Sequence, residues 1–233
     1  MNRIAVAIAV MLATVGGALA QGVTASGVSV DGVNAALLTP VKPRGAIILL
    51  AGGDGQLGIG SDGSIAKLKG NQLVRTRGAY AARGFAVLVP EGEVNLAAAV
   101  KFMRKYGAVT LVGTSRGTQR AARGIASGAR PARLVLTSGF LSDASGDGDN
   151  VIAILGSPAA LPPTLVVHHK HDECKRTAPA GVAPFVAWSK GKAHVTWLDG
   201  GASSGEPCEA RGHHGFNGID GAVVSAVAGF AAR

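Results

Sequence analysis

The stretch Gly113-Thr114-Ser115-Arg116-Gly117 decides the fold prediction. It follows the mostly apolar run 109–112 and precedes residues 119–126, which can form a helix. The pattern Gly-x-Ser-x-Gly between a strand and a helix holds the serine on a sharp turn, where a base can take its proton. The two glycines permit the tight turn and the close approach of strand and helix. We therefore predict Ser115 as a nucleophile; the alternative is a turn in which Ser115 only caps the helix.

An acid for this nucleophile is predicted further along the chain. Asp172 follows shortly after the apolar run 165–167. A carboxylate in that place would hold an imidazole in the required tautomer and stabilise its charged form. Glu173 is the substitute candidate, and Asp199 ranks below both because it lies between the predicted acid and base. The alternative for Asp172 is an ordinary solvated loop carboxylate.

The base is predicted in the pair His213 and His214. Adjacent side chains point in different directions, so only one of the two can face the serine. We choose His214, which opens the tripeptide His-Gly-Phe, and keep His213 as the alternative base.

An oxyanion hole requires backbone N–H groups directed at the developing negative charge. One N–H group is expected from Arg116, the residue after the nucleophile. The second is expected from the glycine-rich loop 51–55, where Gly53 is the first choice and Gly52 the second. The alternative is a turn that needs glycines only for its shape. A phosphate-binding loop is disfavoured because no Gly-Lys-Ser/Thr follows.

Histidines and cysteines near the acid and base raise the possibility of a metal site. Their spacing matches no standard zinc pattern, so we expect no metal and no cofactor. The residues considered are His168, His169, His171, Asp172, Cys174, His213 and His214.

Strand and helix patterns alternate along the chain, which predicts an α/β fold in one domain, with a mostly parallel sheet and helices on both faces. Active sites of such sheets lie beyond the carboxyl ends of the strands. A hairpin is predicted over 23–38 at one sheet edge, and a surface loop over 142–150. The predicted strands are 46–50, 85–89, 109–112, 134–136, 165–167 and 194–198, and the predicted helices are 71–83, 96–106, 115–126, 182–188 and 219–232.

The first 20 residues read as a secretory signal peptide rather than as part of the domain. They combine a positive start at 1–3, the apolar stretch 4–15 and the small-residue cleavage site Ala18-Leu19-Ala20. The alternative is an uncleaved anchor or a buried N-terminal helix. No later run approaches the ~20 apolar residues of a membrane-spanning helix. We therefore expect a periplasmic or secreted domain over 21–233, without a stable membrane span.

The charge pattern disfavours nucleic acid as a partner. The formal net charge is +9, but the basic residues are scattered and aromatic residues make up only 4% of the chain. Dense basic runs interleaved with stacking aromatics are therefore missing. A general positive field could favour anionic substrates, although a basic solvated surface is the simpler interpretation.

Two cysteines are present, Cys174 and Cys208. An exported protein meets an oxidising compartment, so we expect them to pair; the alternative is two free buried thiols. One cysteine follows Asp172 closely and the other precedes His214. A disulfide bond would therefore tie the acid loop to the base loop.

These motifs resemble those of the α/β-hydrolase superfamily over essentially the whole of 21–233. The stretch 113–117 looks like the nucleophile elbow, and Ser, Asp, His is the superfamily's chain order. His168-His169-Lys170-His171-Asp172 is similar to the His-Gly-x-x-Asp ending of the acid strand, with His169 in place of glycine. His214-Gly215-Phe216 looks like the His-Gly-Phe of the dienelactone-hydrolase-like branch.

Leu50-Ala51-Gly52-Gly53 occupies the place of the superfamily's His-Gly oxyanion motif. Ala51 replaces the histidine, so the backbone donors remain while the side chain that usually braces the loop is missing.

The resemblance implies hydrolysis of an ester, thioester or amide through an acyl-enzyme, as in small exported bacterial α/β hydrolases. The connection 90–93 is short and 140–163 offers little material for a lid, which suits a small-molecule or exposed polymer ester. Two other functions stay open: a non-catalytic binding protein on the same fold, and a metal-dependent hydrolase that uses the histidine-rich segment. The acyl group, the leaving group and the oligomeric state also stay open.

Overall fold

The computed structural model describes residues 22–233, so the predicted signal peptide lies outside the described residues. Eight strands form one sheet in the order β1-β2-β4-β3-β5-β6-β7-β8. The strands are β1 Val23–Val30, β2 Val33–Pro40, β3 Ala46–Leu50, β4 Ala86–Pro90, β5 Val109–Thr114, β6 Arg133–Thr137, β7 Thr164–His169 and β8 Ala193–Leu198. No helix within 22–233 is long and apolar enough to cross a membrane.

The sheet is mostly parallel, as predicted. The hairpin of β1 and β2 lies at one edge and pairs antiparallel with β4, while β3 to β8 pair in parallel with one another. Asp31 and Gly32 join β1 to β2 with positive φ angles of 53° and 80°. Two central residues of positive φ make the turn whose twist matches that of a hairpin.

Helices cover both faces of the sheet, which confirms the predicted layers. The helices are α1 Gln72–Ala82, α2 Leu96–Met103, α3 Arg116–Ala126, α4 Val151–Leu155, α5 Val182–Trp188 and α6 Asp220–Ala231. Apolar side chains of α2, α3, α4 and α5 pack on one face, and those of α1 and α6 pack on the other. Strand β3 is buried along its whole length because it lies between these two layers.

The parallel strands bring the predicted site residues to the end of the sheet at which the strands have their carboxyl termini. Strand β5 ends directly before Ser115, β3 ends directly before Ala51, and β7 ends shortly before Asp172. His214 lies on a single 3₁₀ turn, His213–Gly215, in the connection from β8 to α6. The carboxyl ends of parallel strands lie at the same end of the sheet, so the segments that carry Ala51, Ser115, Asp172 and His214 converge there.

The segment 142–150 is largely the surface loop that was predicted, since five of its nine residues are exposed. Ser142, Ser145 and Asn150 are buried. Their polar atoms are satisfied inside the fold: Ser145 Oγ accepts from the backbone N–H of Ser142, and Ser142 Oγ donates to the carbonyl of Gly181. These three buried side chains anchor an otherwise exposed loop to the fold through internal hydrogen bonds. Helix α4, which follows, was not predicted; it packs beside α3.

Candidate active site

Ser115 lies on a strained turn between β5 and α3. Its backbone adopts φ 52° and ψ −126°, a conformation that non-glycine residues rarely take. A Cβ on Gly113 would lie 2.5 Å from the carbonyl oxygen of Gly117, and a Cβ on Gly117 would collide with the carbonyl of Leu50. Only glycines fit on either side of this turn, as a nucleophile elbow requires.

The Ser115 turn opens into a cavity of about 310 Å³. Gly52, Gly53, Arg116 and His214 also line this cavity. The N–H of Ser115 donates to the carbonyl of Thr137, 3.1 Å away, and so fixes the turn against β6. None of the residues 150–163 lines the cavity, so α4 does not form a lid over it.

His214 and Asp172 are both buried and lie in direct contact. Nδ1 of His214 donates to Oδ2 of Asp172 over 3.1 Å, and Oδ1 of Asp172 accepts from the N–H of Cys174 over 2.9 Å. A proton on Nδ1 leaves Nε2 free to accept one, which is the tautomer a general base needs. Within 22–233 no hydrogen bond joins Ser115 Oγ to His214; such contacts commonly tighten only when substrate binds.

Thr177 takes part in the contact between Asp172 and His214, although no sequence pattern predicted it. The side chain is fully buried. Its hydroxyl lies 2.9 Å from Nδ1 of His214 and donates to Oδ2 of Asp172 over 3.2 Å. The hydroxyl therefore contacts both groups and fixes the carboxylate and the imidazole relative to one another. A threonine in a loop has no sequence pattern that distinguishes it, so only the fold reveals this contact.

His168 also lies beside this carboxylate, nearest the oxygen that His214 and Thr177 contact. Its Nε2 is 3.5 Å from Oδ2 of Asp172, beyond good hydrogen-bond geometry, and neither ring nitrogen has a partner within 22–233. Burial lowers the pKa of His168 to about 4, although the charge of Asp172 acts in the opposite direction. His168 is therefore neutral at physiological pH and leaves the carboxylate to His214 and Thr177.

The alternative base, His213, points away from the acid. Its ring stacks on that of His169 with centroids 4.4 Å apart, and its Nδ1 donates to the carbonyl of His171 over 3.1 Å.

His169 stands where the related motif has glycine. Its Nε2 donates to the carbonyl of Gly200 over 2.9 Å, so this imidazole ties the end of β7 to the loop after β8.

The alternative acids also lie elsewhere. Glu173 is exposed and accepts a hydrogen bond from Ser203 Oγ over 3.0 Å. Asp199 is exposed and pairs with Lys170 over 3.3 Å. Of the three candidate carboxylates, Asp172 is the one in contact with His214.

Cys174 and Cys208 lie at disulfide-bond distance, with their Sγ atoms 2.06 Å apart. Both residues line the cavity. The pair joins the loop that carries Asp172 to the loop that leads into His214.

Gly53 and Arg116, the predicted oxyanion-hole donors, both line the cavity beside Ser115. Gly53 has φ 60°, which suits glycine, and no carbonyl within 22–233 accepts from its N–H. Arg116 is the first residue of α3, so its N–H has no acceptor inside the helix. A Cβ on Gly52 would lie 3.1 Å from the Cβ of Ser115, which shows how closely this loop approaches the serine.

The cavity also carries charged side chains. Arg116, Arg176 and Glu209 line it, and Arg176 forms an ion pair with Asp147 over 2.7 Å. Within residues 22–233 no group of three His, Cys, Asp or Glu side chains could hold a metal ion.

No protein-family model and no curated protein sequence matches the chain. Solved structures match it over most of its length. EstE5, soaked with p-nitrophenyl butyrate, is 16% identical with a TM-score of 0.60, and the match covers 94% of this chain and 87% of that one. Dienelactone hydrolase from Anabaena variabilis is 14% identical with a TM-score of 0.62, covering 89% and 95%. Carboxyl esterase 2 from Tuber melanosporum is 14% identical with a TM-score of 0.60, covering 94% and 88%.

The chain has the α/β-hydrolase fold. The fold prediction from the three motifs is therefore confirmed. In this α/β-hydrolase fold, Ser115 occupies the turn after β5, Asp172 the loop after β7 and His214 the connection after β8.

Proposed function

We propose that this chain is an exported serine hydrolase that cleaves an ester, thioester or amide bond, with a carboxylic ester as the first choice. One observation carries the proposal: the strained Ser115 turn opens into the cavity that His214 lines, and His214 Nδ1 lies 3.1 Å from Asp172. The fold adds support, because the similar structures include a carboxyl esterase and a dienelactone hydrolase.

The proposed reaction begins when Nε2 of His214 takes the proton of the Ser115 hydroxyl as its oxygen attacks the substrate carbonyl. The N–H groups of Gly53 and Arg116 donate to the resulting oxyanion. Asp172 stabilises the imidazolium. The imidazolium then returns its proton to the leaving group, and the carbon–leaving-group bond breaks to give an acyl-serine. His214 then takes a proton from water as the water oxygen attacks the acyl carbon; the bond from this carbon to Ser115 Oγ breaks, His214 returns the proton to Oγ, and the carboxylic acid leaves.

The cavity favours a short acyl group. Its volume is about 310 Å³, and the large apolar side chains that line it are Leu68 and Phe140. p-Nitrophenyl butyrate, with which EstE5 was soaked, is therefore a suitable assay substrate. A small-molecule or exposed polymer ester remains the proposed substrate class, and the paired cysteines are compatible with export.

The test is labelling of the oxidised protein with a fluorophosphonate probe, followed by mass spectrometry of the modified peptide. We expect an adduct on Ser115 and turnover of p-nitrophenyl butyrate. Ser115→Ala should abolish both while leaving the melting curve intact. Ser127→Ala is the matched control, since Ser127 is exposed at the far end of α3. Turnover retained by Ser115→Ala would refute the assignment.

A second candidate is a non-catalytic binding protein on the same fold. The observation that favours it is the missing hydrogen bond between Ser115 and His214. This candidate predicts a well-folded protein in which Ser115 reacts with the probe no faster than a free serine does.

A further inference from the structure

Arg120 on α3 braces the glycine-rich loop that carries Gly53. Its Nη1 donates to the carbonyl of Gly53 over 3.1 Å, and its Nη2 donates to the carbonyls of Ala51 and, over 3.4 Å, Gly52. One guanidinium thus binds three consecutive carbonyls. A Cβ on Gly55 would lie 3.0 Å from Cζ of Arg120, so the loop also packs directly against the guanidinium group.

Because each peptide group is planar, the hydrogen bonds to these carbonyls also set the direction in which the N–H groups of the loop point. In a trans peptide the C=O of one residue and the N–H of the next point in opposite directions. Binding the carbonyls of Ala51 and Gly52 therefore turns the N–H groups of Gly52 and Gly53 away from Arg120. Gly52 and Gly53 line the cavity beside Ser115, whereas Arg120 lies behind the loop and does not line it.

We propose that Arg120 is the positioning residue of the oxyanion hole and replaces the side chain that Ala51 lacks. It acts through the loop: it fixes the carbonyls so that the Gly53 N–H faces the reacting carbonyl oxygen. Its positive charge also polarises those peptide groups, which strengthens the opposite N–H groups as donors. The inference rests on the proposed function, because it assigns the loop to an oxyanion that forms only during acyl transfer.

Arg120→Gln tests the inference, with Arg123→Gln as the matched control. Arg123 lies one turn further along α3 and pairs with Asp149 over 2.5 Å, with both side chains about half exposed (51% and 49%). An oxyanion hole binds the transition state more tightly than the substrate. We therefore expect Arg120→Gln to lower kcat for p-nitrophenyl butyrate about 100-fold, with KM changed less than about 3-fold, in line with loss of one oxyanion donor. Arg123→Gln should stay within 2-fold of wild type.

A second measurement separates positioning from a purely structural role. Arg120→Ala should regain kcat when guanidinium chloride is added at millimolar concentration, whereas sodium chloride at the same ionic strength should have no effect. A boronic acid analogue of the tetrahedral intermediate should lose affinity for Arg120→Gln by about the factor lost in kcat. A role in stability alone would lower the melting temperature and leave both readouts unchanged.

The outcomes distinguish this inference from the proposed function. A wild-type chain that neither turns over esters nor labels at Ser115 overturns both. An active wild type with an Arg120→Gln variant of full kcat overturns this inference alone. Should the glutamine variant fail to melt cooperatively, Arg120→Lys provides the test, since it keeps the charge but reaches fewer carbonyls. Full kcat in Arg120→Lys counts against positioning, and reduced kcat at unchanged KM supports it.

Discussion

Removal of the cysteine pair gives a prediction whose size follows from the chain itself. Cys174 and Cys208 are 34 residues apart. Closing a loop of that length lowers the entropy of the unfolded chain, which in the chain-entropy relation stabilises the fold by about 4 kcal/mol at 25 °C. A domain of this size has a total stability of about 5–15 kcal/mol. Cutting the bond therefore removes a quarter or more of the free energy of unfolding.

The loss should be visible by urea titration and by thermal melting. For a domain of about 200 residues, each kcal/mol shifts the melting temperature by about 2–4 °C, so we expect a drop of roughly 8–15 °C on reduction. The measurement compares oxidised wild type, wild type with a phosphine reductant, and the double variant Cys174→Ala/Cys208→Ala. The double variant controls for effects of the reductant, to which it should be insensitive.

Activity provides a second readout of the same bond. The pair tethers the acid loop to the loop before His214, and both cysteines line the cavity. Below its melting temperature the reduced protein should keep the Asp172–His214 contact but lose order in the loop 199–212, and if the proposed activity is present this should raise KM more than it lowers kcat. Superimposable melting curves of oxidised and reduced wild type would refute the reasoning, whatever the activity.

Two further predictions concern the buried groups around Asp172. Thr177→Val removes one donor to a carboxylate, so kcat/KM should fall about 10- to 100-fold, whereas Thr177→Ser should stay near wild type; equal losses in both variants would contradict this. His168 has a pKa of about 4 in the fold, below its ordinary 6.5. Between pH 6.5 and 4 the unfolded chain binds a proton at this histidine while the folded chain does not. Lowering the pH through this window therefore decreases the free energy of unfolding by up to about 3 kcal/mol. His168→Phe should flatten the urea-derived stability curve in this window, and curves parallel to wild type would argue against it.

The parts of the site that the sequence predicts are those set by local backbone geometry. The turn at Ser115 needs glycines at 113 and 117 because Cβ atoms there would meet the carbonyls of Gly117 and Leu50. A steric requirement of this kind leaves a short, readable pattern. The central strands are buried between two helical layers and therefore appear as continuous apolar runs, so the sheet could be predicted to within a few residues.

The parts that could not be predicted depend on partners distant in the chain. Thr177 matters because the fold brings its hydroxyl to His214, 37 residues further on. The segment 142–150 has the composition of a solvated loop, yet Ser142 is buried because Gly181 supplies its acceptor. Composition reports which groups are polar. It does not report whether protein or water satisfies them, since that is decided by tertiary contacts.

The two departures from the superfamily's motifs illustrate the same limit at the site itself. His169 replaces a glycine, and its imidazole is accommodated because it bonds to Gly200, 31 residues away. Ala51 replaces a histidine, and the loop is braced instead by Arg120, 69 residues away. In both places the residue that departs from the motif takes part in a contact between segments that are distant in the chain. A motif that looks incomplete in the sequence therefore does not by itself argue for lost activity, and the measured kcat of Arg120→Gln decides whether this replacement performs the task.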